Sequence, residues 1–354
     1  MQKICALIAF ASLAACATPG IDYAARVVPP NTAAVETRTV DVGRFSGPGG
    51  RWYEDQFEAM LAGATLDGRP WFRMARFSDG QVPPGERAGV YEGLIEVIGY
   101  EAEEYTDIDK ECVEWDGVFD CEHREEVEKI CLRENVEVAV TPRLVEYGSG
   151  EMLFSQTYIG NASAESCDEV YRRGRRGGYR GSGARYGLTA GVQPPHDMVL
   201  DALSETIHEI RTDIAPRNTT VKATFIDEAT DPAVAADPRF EQAVKAGRDA
   251  PNASCDVWRS LRARYPQAPA VTHNLGACYE SAGDFLGAHT LYAEAAEQSA
   301  ARGLGGEASR MIRQSLARMS SQRSGLELLN RLDEGRRQSP APPSYEDEAA
   351  PAGS

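Results

Sequence analysis

Cysteine has the widest chemical reach of any residue in this 354-residue chain, because a thiol can ligate a metal, attack a carbonyl or pair with a second thiol. Two of the eight cysteines, Cys5 and Cys16, stand at the extreme amino terminus, and the rest are Cys112, Cys121, Cys131, Cys167, Cys255 and Cys278. Cys112, Cys121, His123 and Cys131 together have the donor types for zinc, but they lack the paired C-x₂₋₄-C knuckles of a structural site. His196, His208, His273 and His289 fall on expected helices without an H-E-x-x-H pair. The acidic stretch Glu101–Glu128 contains no D-x-D-x-D-G calcium loop, and no G-x-S-x-G elbow offers a nucleophilic serine. The expectation is a chain without catalytic centre, metal or cofactor.

The amino terminus sets the compartment in which those thiols act. Lys3 precedes the short apolar run Ile4–Leu13, and small residues follow, the pattern of an export signal over residues 1–15. The run is shorter than the roughly 20 residues needed to cross a bilayer. Leu13-Ala14-Ala15-Cys16 resembles the bacterial lipobox, which makes Cys16 the candidate lipidation site and the first mature residue. Ala15-Cys16-Ala17 also fits ordinary A-x-A cleavage, the alternative reading. Ala17, where an aspartate would signal retention in the inner membrane, points to an outer-membrane anchor facing the periplasm. In that oxidising compartment the six remaining cysteines read as disulfides. Locality favours Cys112–Cys121, Cys131–Cys167 and Cys255–Cys278 among the possible pairings, the last pair lying on either side of a turn at Pro266–Pro269.

The formal net charge of −17, from 54 acids against 37 lysines and arginines, excludes nucleic acid as a partner and leaves membrane attachment to the lipid. One basic cluster stands against that trend. Arg172, Arg173, Arg175, Arg176, Arg180 and Arg185 alternate with Tyr171, Tyr179 and Tyr186, and arginine forks suit phosphates or an acidic partner. A solvated insertion is the plainer reading of the same residues. Gly47-Pro48-Gly49-Gly50 before a helix could cradle a phosphate, but without the Lys-Ser/Thr of a P-loop it reads as a tight turn.

These residues need elements to hold them. Residues 16–34, rich in proline, glycine and alanine, read as a lipid anchor and tether. Residues 35–220 alternate strand and helix patterns: strands at Val35–Phe45, Trp71–Phe77, Val90–Tyr105 and Val136–Val145 with a return strand Met152–Ile159, and helices at Arg51–Ala64 and Asp197–Ile214. That predicts an α+β domain, a mixed sheet covered by helices. Residues 221–237 read as a linker, 238–333 as an all-α stack and 334–354 as a disordered tail.

Within the stack, Leu275-Gly276-x-x-Tyr279 followed by Gly283, Ala288, Tyr292 and Ala295 resembles the tetratricopeptide repeat. Trp258, Leu261 and Pro266 form a degenerate preceding helix, and Glu307–Met319 with Gly325–Leu332 a capping pair. The amino-terminal domain resembles the CsgG-like (curli-secretion-channel) family and its TolB-amino-terminal-like relatives. The resemblance rests on the strand ending Phe45-Ser46-Gly47-Pro48-Gly49-Gly50, its helix, the Arg143-Leu144-Val145 strand and the closing Asp213-Ile214-Ala215-Pro216. It implies an envelope lipoprotein that assembles or regulates machinery. The resulting expectation is a non-enzymatic periplasmic adaptor for a protein or peptide partner, with a homo-oligomer open to its first domain. The alternatives are a subunit of an oligomeric secretion pore and an activator of a cell-wall enzyme. Repeats of this kind bind along the first helix of each pair, which makes Asn274 the expected contact.

Overall fold

The computed structural model describes residues 18–77, 87–116, 120–169 and 194–338. Two units emerge: Pro29–Arg217, and a second that joins the residues up to Val28 to those from Asn218 onward. The first described element is therefore a strand of the second unit, β1 (Gly20–Val27), in which Ile21 and Ala25 point inward and are buried.

The first unit opens with α1 (Thr32–Glu36), where the Asn31 side chain caps the Ala34 amide. The strand β2 (Thr39–Ser46) runs into α2 (Gly50–Gly63). Short strands β3 (Thr65–Leu66), β4 (Arg69–Pro70) and β5 (Arg73–Met74) follow, then β6 (Ala88–Asp116), β7 (Asp120–Glu146), β8 (Met152–Ser155), β9 (Tyr158–Glu169) and α3 (His196–Ile214). One mixed sheet has the order β5-β2-β6-β7-β8, with β9 also paired to β7. β2 is parallel to β5 and β6, and the β6–β7, β7–β8 and β7–β9 pairs are antiparallel.

Period-3.6 spacing puts Tyr53, Phe57 and Leu61 on one face of α2 and Leu203, Thr206 and Ile210 on one face of α3. Both faces pack on the sheet, α2 on β2 and α3 on β7 and β9. The centre is aromatic: Phe57 lies 5.1 Å from Phe45 and 5.2 Å from Tyr91, ring centre to ring centre, a spacing that adds about 0.5–1.5 kcal/mol per pair to area burial. The loop between β2 and α2 is a turn. Gly47 has φ +122°, and a Cβ there would stand 2.0 Å from the Ile95 carbonyl oxygen.

The second unit contains β10 (Arg217–Thr224), which pairs with β1, then α4 (Pro232–Ala235), α5 (Pro238–Asp249), α6 (Pro251–Arg264), α7 (Pro269–Ser281), α8 (Phe285–Ala301) and α9 (Gly306–Gln338). Prolines open α4 to α7, where a missing N–H costs nothing. Each helix from α5 to α9 packs on its successor. Gly276 of α7 meets the Tyr292 ring of α8, where a Cβ would come within 2.9 Å.

Three boundaries differ from the sequence reading. The tether expected over 16–34 holds β1 and α1. The linker expected over 221–237 holds the end of β10 and α4, with Ala223, Phe225, Ile226 and Val234 buried. The expected pair 307–319 and 325–332 is one helix, α9, because Gly325 makes room for Val28 (2.7 Å from a Cβ placed there) instead of breaking the helix. Among the described residues no helix is long and apolar enough to cross a membrane.

Candidate functional site

Two features have built-in specificity, one in each unit. In the helical unit β1 packs on α5, α7 and α9. Asn274 on α7 is fully buried there. Its Oδ1 accepts from the Ile226 amide at 2.7 Å, and its Nδ2 donates to the Ile226 carbonyl at 2.8 Å. An amide side chain thus satisfies both backbone groups of one residue, as a neighbouring strand would. The expectation that Asn274 is offered to a partner is corrected: its hydrogen bonds are spent inside the unit. Next to it Phe225 is buried edge-on against Trp258 (5.5 Å), in a slot that exists because position 247 is glycine. A Cβ on Gly247 would sit 2.4 Å from the Phe225 ring.

Behind Asn274 runs a buried polar network. His273 Nδ1 faces Asn274 Oδ1 at 3.1 Å, and its Nε2 faces Ser315 Oγ at 3.1 Å. Because Asn274 Oδ1 can only accept, Nδ1 holds the proton and Nε2 accepts from Ser315. Burial holds His273 neutral and lowers its pKa to about 4, the hydrogen bond to Asn274 opposing the shift and the Arg318 charge adding to it. Glu280, also fully buried, accepts from Arg318 Nε at 3.0 Å and Nη2 at 2.8 Å, a bidentate pair. The Tyr23 hydroxyl from β1 donates to it at 2.8 Å and that of Tyr292 at 2.6 Å. Burial and then the Glu280 charge raise the pKa of both phenols, so they remain donors. Burial alone would lower the Arg318 pKa, but hydrogen bonding to Glu280 leaves it raised. Every strong polar group in this network has a partner, the arrangement of a rigid structural core.

The first unit carries the opposite kind of feature. β6 and β7 continue as a paired ribbon from Glu101↔Asn135 out to Asp116↔Asp120, about 50 Å at 3.3 Å per residue. β9 accompanies β7 along part of it, from Lys129↔Glu169 to Val140↔Tyr158. Between Glu101 and Glu134 the sequence has 14 acids and 4 lysines or arginines, net −10 of the chain's −17. Four cations cannot neutralise fourteen anions, so the ribbon keeps a strong negative field. The cations are placed across strands. Arg133 binds Glu165 (3.0 Å) and lies over the Tyr105 ring (5.0 Å), Lys129 binds Asp109 (3.2 Å), and Lys110 stands 3.7 Å from Glu126. Hydrogen bonds from Lys129 and the Lys110 amide lower the Asp109 pKa.

Two disulfides staple this ribbon. Cys112–Cys121 closes its outer part, and Cys131–Cys167 joins directly opposed residues of β7 and β9. The third, Cys255–Cys278, ties α6 to α7. All three are the pairs expected from locality, so the zinc alternative for Cys112, Cys121, His123 and Cys131 loses its thiolates. Among the described residues no group of three or more His, Cys, Asp or Glu side chains is placed to hold a metal ion. Cys16 and the arginines Arg172, Arg173, Arg175 and Arg176 lie outside the described residues. No protein-family model matches this chain, and no curated protein does.

Proposed function

We propose that this chain is a non-catalytic lipoprotein of the outer membrane, anchored through Cys16, that works as a periplasmic adaptor and takes a basic protein partner along the β6–β7–β9 ribbon. The observation that carries the reading is the ribbon itself. A β-ribbon that projects acids from both faces has little core to bury, and two of the three disulfides are placed on it. Rigidity of that kind lowers the ordering cost of binding, and like-signed charge raises the encounter rate with a basic surface. In this reading the first unit is a CsgG/TolB-like domain and the helices a tetratricopeptide-like stack, supported by the paired helices and the close Gly276–Tyr292 contact.

The charge pattern counts against the secretion-pore alternative. A membrane strand needs one apolar face over about 9–11 residues. Here Glu101, Glu103, Asp107 and Asp109 share one face, while Glu104, Lys110, Glu126 and Glu128 share the other. To test the adaptor reading, residues 106–130 are replaced by Asn-Gly, which leaves Tyr105 opposite Cys131, and the variant is compared with the native chain in pull-downs from crosslinked envelopes. Loss of the native chain's partners is expected; recovery of the same partners in the same yield would overturn the assignment. Cys16→Ser tests the anchor separately and is expected to move the protein out of the membrane fraction.

A further inference from the structure

We infer that the berth of β1 is an exchangeable strand-binding site, and that its second occupant is β1 of another copy of this chain. The inference starts from connectivity. β1 completes a unit from which it is separated in sequence by the whole of Pro29–Arg217. The link that leads out of it is Val28-Pro29-Pro30-Asn31, in which two consecutive prolines make a stiff connector that bends at Pro30.

The contacts that seat β1 come from residues after Asn218. The Pro19 carbonyl accepts from the Phe225 amide at 2.8 Å, and the Arg26 carbonyl accepts from Gln322 at 2.6 Å. Asp22 stands 3.9 Å from Lys222, Tyr23 donates to Glu280 and stacks near Phe285, and Val28 fills the space left by Gly325. An identical strand from a second copy would satisfy each of these contacts. The closed and exchanged forms therefore bury the same surface, and their balance is set by the connector and the chain concentration.

The berth also has reason to stay filled. Without β1 the edge of β10 is bare and the Glu280 carboxylate loses a hydrogen-bond donor. A chain whose own strand has left gains both back from a neighbour's strand. The connector favours that outcome, because a proline pair resists the bend that the closed form imposes at Pro30, and an exchanged strand lets the link straighten.

The test uses the full chain. Asp22 is exposed and Lys222 half-exposed, so both accept substitution, and they face each other across the β1–β10 pair. Asp22→Cys and Lys222→Cys are made as separate variants, co-produced in equal amounts and oxidised. A mixed covalent dimer that neither variant forms alone is the expected result on a non-reducing gel. Its absence, where Asp22→Cys/Lys222→Cys in one chain does close internally, overturns the inference. Light scattering of the native chain decides if the double variant does not close. A single-chain mass at every concentration up to about 1 mM overturns the inference, since that is the effective concentration of a short linker and the tether through Pro29–Arg217 is longer. A doubled mass whose dimer fraction falls when Pro29 and Pro30 are both changed to Gly supports it, and a dimer indifferent to that change overturns it.

Discussion

Acidification from pH 7 to pH 4 is expected to weaken the helical unit through one side chain, His273. The ring is fully buried between Asn274, Ser315 and the Tyr292 ring, whose centre is 4.9 Å away. Its pKa falls from 6.5 to about 4 on folding. A depressed folded pKa means that the unfolded chain takes up the proton first. The contribution of His273 is thus complete above pH 6.5, erodes as pH falls through that value, and is gone near pH 4. A shift of roughly 2.5 units at about 1.4 kcal/mol per unit is worth about 3 kcal/mol. With a urea dependence of about 1.5 kcal/mol per molar, that lowers the unfolding midpoint by roughly 2 M. Trp258, buried in the same unit, is the reporter, in a background where Trp52, Trp71 and Trp115 are Phe. His273→Gln keeps a polar group toward Ser315 but cannot titrate, so its midpoint is expected to stay about 2 M flatter over the same pH range. Parallel loss in the native and Gln chains would refute the reasoning, since the shared carboxylates would then carry the whole effect.

Other perturbations follow from the same contacts. Glu280→Gln takes the buried carboxylate away from Arg318, whose own side chain is a third exposed, and is expected to cost about 1.5–3 kcal/mol, read in the same urea titration, whereas Glu280→Met with Arg318→Met regains most of it. Cys255→Ser with Cys278→Ser opens a 23-residue loop and should cost about 3 kcal/mol by chain entropy, seen as a lower midpoint for α6 and α7. Gly247→Ala drives a Cβ to 2.4 Å from the Phe225 ring and should cost about 1–3 kcal/mol, with a change in Trp258 emission as its signature.

Where the sequence was legible, a local signal agreed with the tertiary environment. Helical spacing picked out Phe57 and Leu61 of α2 and Met198, Leu203 and Ile210 of α3, though it favoured Trp52 where Tyr53 is the buried aromatic, and the three disulfides followed from proximity in the chain. Asn274 was misplaced for an identifiable reason. A polar residue on a two-faced helix belongs outside, but α7 is buried almost all round, from Pro269 to Cys278. The small and apolar run Ala270-Val271, Leu275-Gly276-Ala277 held that information, and an asparagine beside a histidine inside it marks a buried polar network. β1 was hidden in a similar way. Ile21, Tyr23, Ala25 and Val27 alternate as a strand should, but Pro19-Gly20 and Pro29-Pro30 on either side give the segment the composition of a tether.

The ribbon was missed because its alternation is written in charge and not in hydrophobicity. Strand recognition rests on one buried face, and from Glu103 to Lys110 neither face of β6 is buried. Such a strand pair has to be held by other means, and the structure contains them: a directly opposed ion pair at Arg133–Glu165, a diagonal one at Lys129–Asp109, and two disulfides along its length. Exposed ion pairs each give about 0–1 kcal/mol, too little to hold an isolated hairpin against its chain entropy. The disulfides therefore do for the ribbon what a core does for the rest of the sheet, while acids such as Glu103, Glu104, Asp107, Asp109, Glu126 and Glu128 remain exposed. Apolar residues could stabilise the same strands only by turning their side chains toward one another and away from solvent. The use of covalent links here keeps both stiffness and exposed charge, the two properties that the proposed adaptor role draws on.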